Sequence, residues 1–143
     1  MLVPPAPFNK NVMMKCCLMF WMSMMSMFLM AQVTVCPGEI WPDDRGQHIN
    51  AHGGGILCHN GRYYWFGEYK SEDTSAALVG ITCYSSDNLS DWHYEGVALP
   101  VTDVPGDDLE RGCTMERPKV IYNARTEKFV MWFHLELKGR GYS

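Results

Sequence analysis

The chain has 143 residues, with 12 Lys and Arg against 16 Asp and Glu and a formal net charge of −4. A hydrophobic fraction of 47% excludes wholesale disorder, and the acidic balance excludes a basic surface for nucleic acid. The average conceals a split: residues 1–35 carry Lys10 and Lys15 and no acid, and the remaining 10 basic and all 16 acidic residues lie from Cys36 onward.

Residues 16–31 read CCLMFWMSMMSMFLMA, an apolar run broken only by Ser23 and Ser26. Two lysines before it and the small Ala31 after it give the layout of a secretory signal, although Leu29 is larger than the usual small residue near a cleavage point. As a helix, 16 residues cover roughly 24 Å, and a spanning helix needs about 20 residues. Residues 1–31 therefore read as a signal peptide or, if uncleaved, as a membrane anchor. The protein is then secreted, or held with its domain in the lumen or outside. Nine of the 11 methionines fall in the first 30 residues, as apolar filler rather than thioether ligands for copper.

Cys36, Cys58, Cys83 and Cys113 are spaced 22, 25 and 30 apart, with no close pair that would suggest zinc or redox chemistry. In a secreted chain they allow one or two disulfides, in three pairings. Cys58 and Cys83 lie in apolar runs and read at least as well as buried free thiols.

Residues 32–48 are a turn-rich lead-in containing Pro37, Gly38, Pro42, Asp43, Asp44 and Gly46. Residues 56–68, ILCHNGRYYWFGE, predict a hairpin turning at Asn60-Gly61. The run Tyr63–Phe66 predicts a strand covered on both faces. Strands are also expected at Val79–Ser85 and across HYEGVAL, with an acidic, turn-rich stretch at 102–112. A second hairpin is expected from Pro118–Tyr122 and Lys128–His134. The two hairpins share an aliphatic pair, an Asn-led turn and an aromatic return strand, with Asn60 and Asn123 63 residues apart. Such repetition without helical periodicity points to a β-propeller, with a two-sheet sandwich as the alternative.

INAHGGG at 49–55 is not a phosphate loop, because no Lys-Ser/Thr pair and no helix follow it. Its glycines serve either a tight backbone approach or a pocket into which Asn50 and His52 point. Glu68 ends an aromatic strand and Glu116 precedes the equivalent strand, so each carboxylate must be solvated, paired or functional. Arg117 and Lys119 offer Glu116 a plain salt bridge. His134 and Glu136 alternate and so share a face, but no third ligand completes a metal site, and neither metal nor cofactor is assigned. No nucleophile elbow is present. Aromatic rings accompanied by carboxylates suit a carbohydrate site.

INAHGGGILCHNGRYYWFGEYK, ITCYSSDNLSDWHYEGVAL and GCTMERPKVIYNARTEKFVMWFHLELKGRGYS together resemble the opening of a glycoside hydrolase family 43 domain, in particular its exo-β-1,3-galactanase subgroup. The resemblance runs from about Trp41 to Ser143. It implies an all-β, five-bladed propeller of which residues 49–143 form the first one and a half blades. It implies inverting, exo-acting hydrolysis of β-1,3-linked galactan, as on arabinogalactan side chains. Where the family's base Asp would stand the chain has AHGGG, an absence shared with the galactanase subgroup. Glu116 matches the carboxylate that orients the general acid and raises its pKa, and that acid would lie beyond residue 143. Glu68 matches a residue that grips the hydroxyls of the terminal galactose, and Tyr142 a pocket aromatic. Asn50, His52, Arg117 and His134 would be further pocket groups. The same fold also serves arabinofuranosidases, xylosidases and non-catalytic carbohydrate-binding propellers. Such propellers can hold a structural calcium, but no dense oxygen cluster here marks one. The resemblance also implies that the isolated 143-residue polypeptide is a fragment without activity of its own. Nothing in the sequence specifies an oligomer.

Overall fold

The computed structural model describes residues 36–71 and 74–140, all within the unit Val33–Ser143. The expected leader and Tyr142 lie outside the described residues.

All regular structure among the described residues is β. β1 (His52–His59), β2 (Arg62–Glu68), β3 (Gly80–Ser86) and β4 (His93–Pro100) form one antiparallel sheet in the order β1-β2-β3-β4. β5 (Thr114–Asn123) and β6 (Lys128–Glu136) form a separate antiparallel pair. The described residues thus hold a complete four-stranded meander and a hairpin, and no closed sheet among them.

The first hairpin turns where the sequence predicts. Asn60 and Gly61 have φ of 51° and 79°, the left-handed pair that matches the twist of the flanking strands. The register His59↔Arg62 through Gly55↔Phe66 follows from that turn. Both hairpins extend further than their apolar patterns suggested. β1 begins at His52, inside the glycine run, and β5 begins at Thr114. Glycine is depleted in strands generally, yet here it is required. A Cβ on Gly54 would stand 2.1 Å from the Phe66 carbonyl oxygen, so only glycine lets β1 lie this close to β2.

The meander is covered on both faces, as the run Tyr63–Phe66 implied. On one face Ile49, Ala51, Tyr84 and Trp92 are buried, with Trp41, Tyr63, Trp65 and Tyr94 packed against them. On the other, Ala77, Ile81, Cys113 and Met115 are buried under Phe66, Leu99, Met131, Phe133 and Leu135. This second cluster joins the meander to the β5–β6 hairpin. The lead-in is held by its own polar centre. Asp43 accepts hydrogen bonds from the backbone N–H of Arg45 (2.9 Å) and Gln47 (3.0 Å) and from the Arg45 guanidinium (2.6 Å). The guanidinium in turn lies 3.7 Å over the Tyr94 ring.

Two expectations need correction. Cys36, Cys58, Cys83 and Cys113 are free thiols, so none of the three pairings is formed among them. Cys83 is buried as expected, but Cys58 is exposed, because β1 is an edge strand of the meander and receives less cover than β3 in its centre.

Candidate functional site

Three segments converge at one end of the two sheets: the start of β1, the end of β2 and the start of β5. Two irregularities shape this end. Between His52 and Gly55 β1 carries one residue more than its partner, and between Glu116 and Lys119 β5 does the same against β6. A bulge re-aims the side chains on either side of it. In β5 it puts Arg117 at φ 55°, a left-handed conformation that costs a non-glycine residue about 1–2 kcal/mol. The two bulges abut: a Cβ on Gly53 would stand 3.5 Å from Arg117 Cγ.

Lys119 ties the segments together. Its ammonium donates to the carbonyls of Gly53 (3.1 Å) and Gly54 (2.8 Å), across from β5 to β1. Its stem passes where a Cβ on Gly55 would be, only 2.7 Å from Lys119 Cδ. The triple glycine is therefore a bed on which β2 and β5 side chains lie. The Glu68 carboxylate uses the same bed, with Oε1 3.2 Å from the Cβ position of Gly53.

The carboxylates meet at a residue the sequence reading missed. Lys70 Nζ lies 2.9 Å from Glu68 Oε2 and 3.8 Å from Glu116 Oε1, and Glu116 Oε2 accepts a hydrogen bond from the Arg117 guanidinium at 3.2 Å. Glu68 is buried, with 7% of its surface exposed, while Glu116, Lys70 and Arg117 are progressively more open to solvent. Two like charges held close repel, and the ammonium that both approach offsets that repulsion. Alternation along Glu68-Tyr69-Lys70 puts both charged groups on one face, but that alone does not separate a paired lysine from a solvated one.

The remaining expected residues divide. Asn50 turns its side chain to the Lys70 backbone, donating from Nδ2 to Lys70 O (2.8 Å) and accepting from Lys70 N–H (2.7 Å). His52 is exposed and stands opposite Glu68 in the β1–β2 register. His134 stands opposite Glu116 in the β5–β6 register, and its Nε2 lies 2.9 Å from Glu136 Oε1, so the two alternating residues share a face as expected. Among the described residues no group of three His, Cys, Asp or Glu side chains is placed to hold a metal.

A groove of about 840 Å³ lies between the lead-in and the β3–β4 turn. Four of its five acids are already engaged: Asp43 with Arg45, Asp44 with His93, Asp87 with Arg62 and Asp91 with Asn88, and the fifth, Glu39, stands on the exposed lead-in. The end of the sheets carrying Glu68 and Glu116 is the better candidate, because there two carboxylates share one cation beside exposed backbone.

No family model matches the chain, and no curated protein is significantly similar to it. Solved structures do match. A GH43 β-1,3-galactosidase solved with galactodeoxynojirimycin is 58% identical with a TM-score of 0.73, over 76% of this chain and 31% of that one. The exo-β-1,3-galactanase of Clostridium thermocellum is 45% identical with a TM-score of 0.63, over 71% and 21%. The exo-β-1,3-galactanase of Phanerochaete chrysosporium, solved with β-1,3-galactotriose, is 37% identical with a TM-score of 0.67, over 72% and 23%. The chain thus spans less than a third of the length of these structures.

The proteins that this chain resembles in sequence and fold are glycoside hydrolases. More narrowly, the chain matches the N-terminal part of family 43 β-1,3-galactosidases and exo-β-1,3-galactanases, the subgroup that INAHGGG, ERPKV and MWFHLE pointed to.

Proposed function

We propose that this chain forms the first blades of a five-bladed, inverting hydrolase that removes terminal galactose from β-1,3-galactan. The observation that carries the reading is the convergence of Glu68 and Glu116 on Lys70 beside the glycine strand, in a chain 58% identical to a β-1,3-galactosidase. Glu68, buried and anchored, binds hydroxyls of the terminal sugar. Glu116, more open and held from either side by Lys70 and Arg117, orients the general acid. That acid is assigned to a carboxyl outside these 143 residues. Inversion requires the acid and the water-activating group to stand about 6.5–9.5 Å apart, which leaves room for the water. His52, Arg117, His134 and Tyr142 are assigned to the pocket. Asn50 is assigned there through its hold on Lys70. Residues 1–31 are assigned to secretion or anchoring, so that the domain meets extracellular galactan.

A chimera tests the reading. Residues 36–140 replace the matching part of the solved β-1,3-galactosidase, and galactose release from β-1,3-galactan is followed by ¹H NMR. The α-anomer is expected first, with Glu68→Gln and Glu116→Gln each about a hundredfold slower or more. A folded chimera that releases β-galactose first, or is indifferent to both substitutions, contradicts the proposal. Residues 32–143 alone are expected to release no galactose, and clear release would overturn that part.

A further inference from the structure

We infer that Lys70 is a positioning residue, whose ammonium fixes the directions of the Glu68 carboxylate, which receives the sugar, and of the Glu116 carboxylate, which orients the acid. The inference rests on the proposed sugar-binding reading of this site and adds to it the group that organises it. Three observations carry it. The ammonium reaches both carboxylates, at 2.9 Å and 3.8 Å, from strands belonging to different sheets. The Lys70 backbone is gripped on both its N–H and its C=O by the single side chain of Asn50. Asn50 is itself held: its N–H donates to the Tyr84 hydroxyl at 3.1 Å, and its carbonyl accepts from Thr82 Oγ1 at 2.6 Å.

This chain of contacts runs from the buried centre of β3 to the two carboxylates. Tyr84 and Thr82 are 2% and 0% exposed. A lysine serving only as a surface counter-ion would need none of it, because an exposed ion pair contributes little and constrains less. Here the stem starts from a backbone held by two hydrogen bonds, and its far end is held by the two carboxylates. Glu68 then presents its remaining lone pairs to sugar hydroxyls, and Glu116 keeps the direction in which it orients the general acid. A site held within about half an ångström by such supporting contacts binds without reorganising.

The test uses the full chain as wild type, Lys70→Met, Lys70→Gln and Lys70→Arg. Folding is checked by circular dichroism. Methyl β-galactopyranoside and β-1,3-galactobiose are titrated by NMR, and crystal structures are solved for the wild type and Lys70→Met. The neutral variants are expected to fold and to bind about tenfold more weakly or worse, with Lys70→Arg within about threefold of wild type. In crystals of Lys70→Met the two carboxylates are expected to swing apart by more than about 1 Å. Neutral variants that bind as wild type overturn the inference, and so do neutral variants that all fail to fold, which would make Lys70 a structural ion pair. If the wild type binds neither sugar, the galactose reading fails by itself. The crystal comparison then still decides the positioning role, and unmoved carboxylates overturn it.

Discussion

Asn50 and Lys70, 20 residues apart, exchange two hydrogen bonds through one side chain, Nδ2 to Lys70 O at 2.8 Å and Lys70 N–H to Oδ1 at 2.7 Å. The pair closes the end of β2 onto the start of the glycine strand, and it anchors the lysine whose ammonium meets Glu68 and Glu116. Asn50→Ala leaves a backbone donor and acceptor without partners at a half-buried position. Urea denaturation is expected to show a loss of about 1–3 kcal/mol; a loss below about 0.5 kcal/mol would mean that water replaces both bonds.

Gly54 separates steric from torsional effects. A Cβ there meets the Phe66 carbonyl oxygen at 2.1 Å, a backbone atom that cannot give way cheaply, although the glycine itself has no left-handed φ. Gly54→Ala is expected to cost about 3 kcal/mol or more and to disturb the β1–β2 register. Gly106 is the opposite case, with open space around it and φ +81°. Gly106→Ala should cost about 1–2 kcal/mol with the register intact. Hydrogen exchange of the β2 amides distinguishes the two.

The acid sensitivity of the lead-in follows from Asp43. Burial opposes its ionisation, but the Arg45 guanidinium and the N–H groups of Gln47 and Arg45 outweigh it, so its pKa lies below the ordinary 3.8. A depressed carboxylate stabilises the fold above its unfolded pKa, and that contribution disappears as pH falls through the folded value. Stability should therefore fall from about pH 4 downward. Asp43→Asn should be less stable near neutrality and show a shallower acid limb in thermal melts from pH 5 to 2. An acid limb unchanged by the substitution would remove Asp43 from the account.

The cysteines predict a labelling pattern. Burial, reinforced by Glu95, pushes the Cys83 thiol up to about 12, and burial also raises Cys113. Iodoacetamide at pH 8 should modify Cys36 and Cys58 and spare Cys83 and Cys113, as read by peptide mass spectrometry. A raised thiol pKa stabilises the fold fully below its unfolded value near 9. That contribution is lost as pH rises toward 12, so Cys83→Ser should flatten the alkaline limb.

Much of the architecture was legible because its signals are local. Asn60-Gly61 names its own turn, and the Tyr63–Phe66 run, with apolar groups on both faces, demanded cover on both. The glycine strand was not legible as a strand. Its reason to exist lies in the Phe66 carbonyl and the Lys119 stem, which approach from other parts of the chain. At the site, Glu68 and Glu116 stood out as carboxylates beside apolar strands. Lys70 did not, because a lysine after a strand is ordinarily a solvated charge. Only the fold shows that Glu116, 46 residues later, arrives at the same ammonium. The Asn50 clamp was hidden for a related reason, since nothing in INAHGGG says that its amide faces backbone rather than a pocket.

The central claim is that this end of the sheets receives a galactose-type sugar. A ¹H–¹⁵N NMR titration of the chain with β-1,3-galactobiose tests it most directly. The account predicts shifts concentrated at His52–Gly55, Glu68–Lys70 and Glu116–Lys119, reduced in Glu68→Gln and absent with arabinobiose. Shifts confined to the groove between the lead-in and the β3–β4 turn, or equal responses to both sugars, would contradict it.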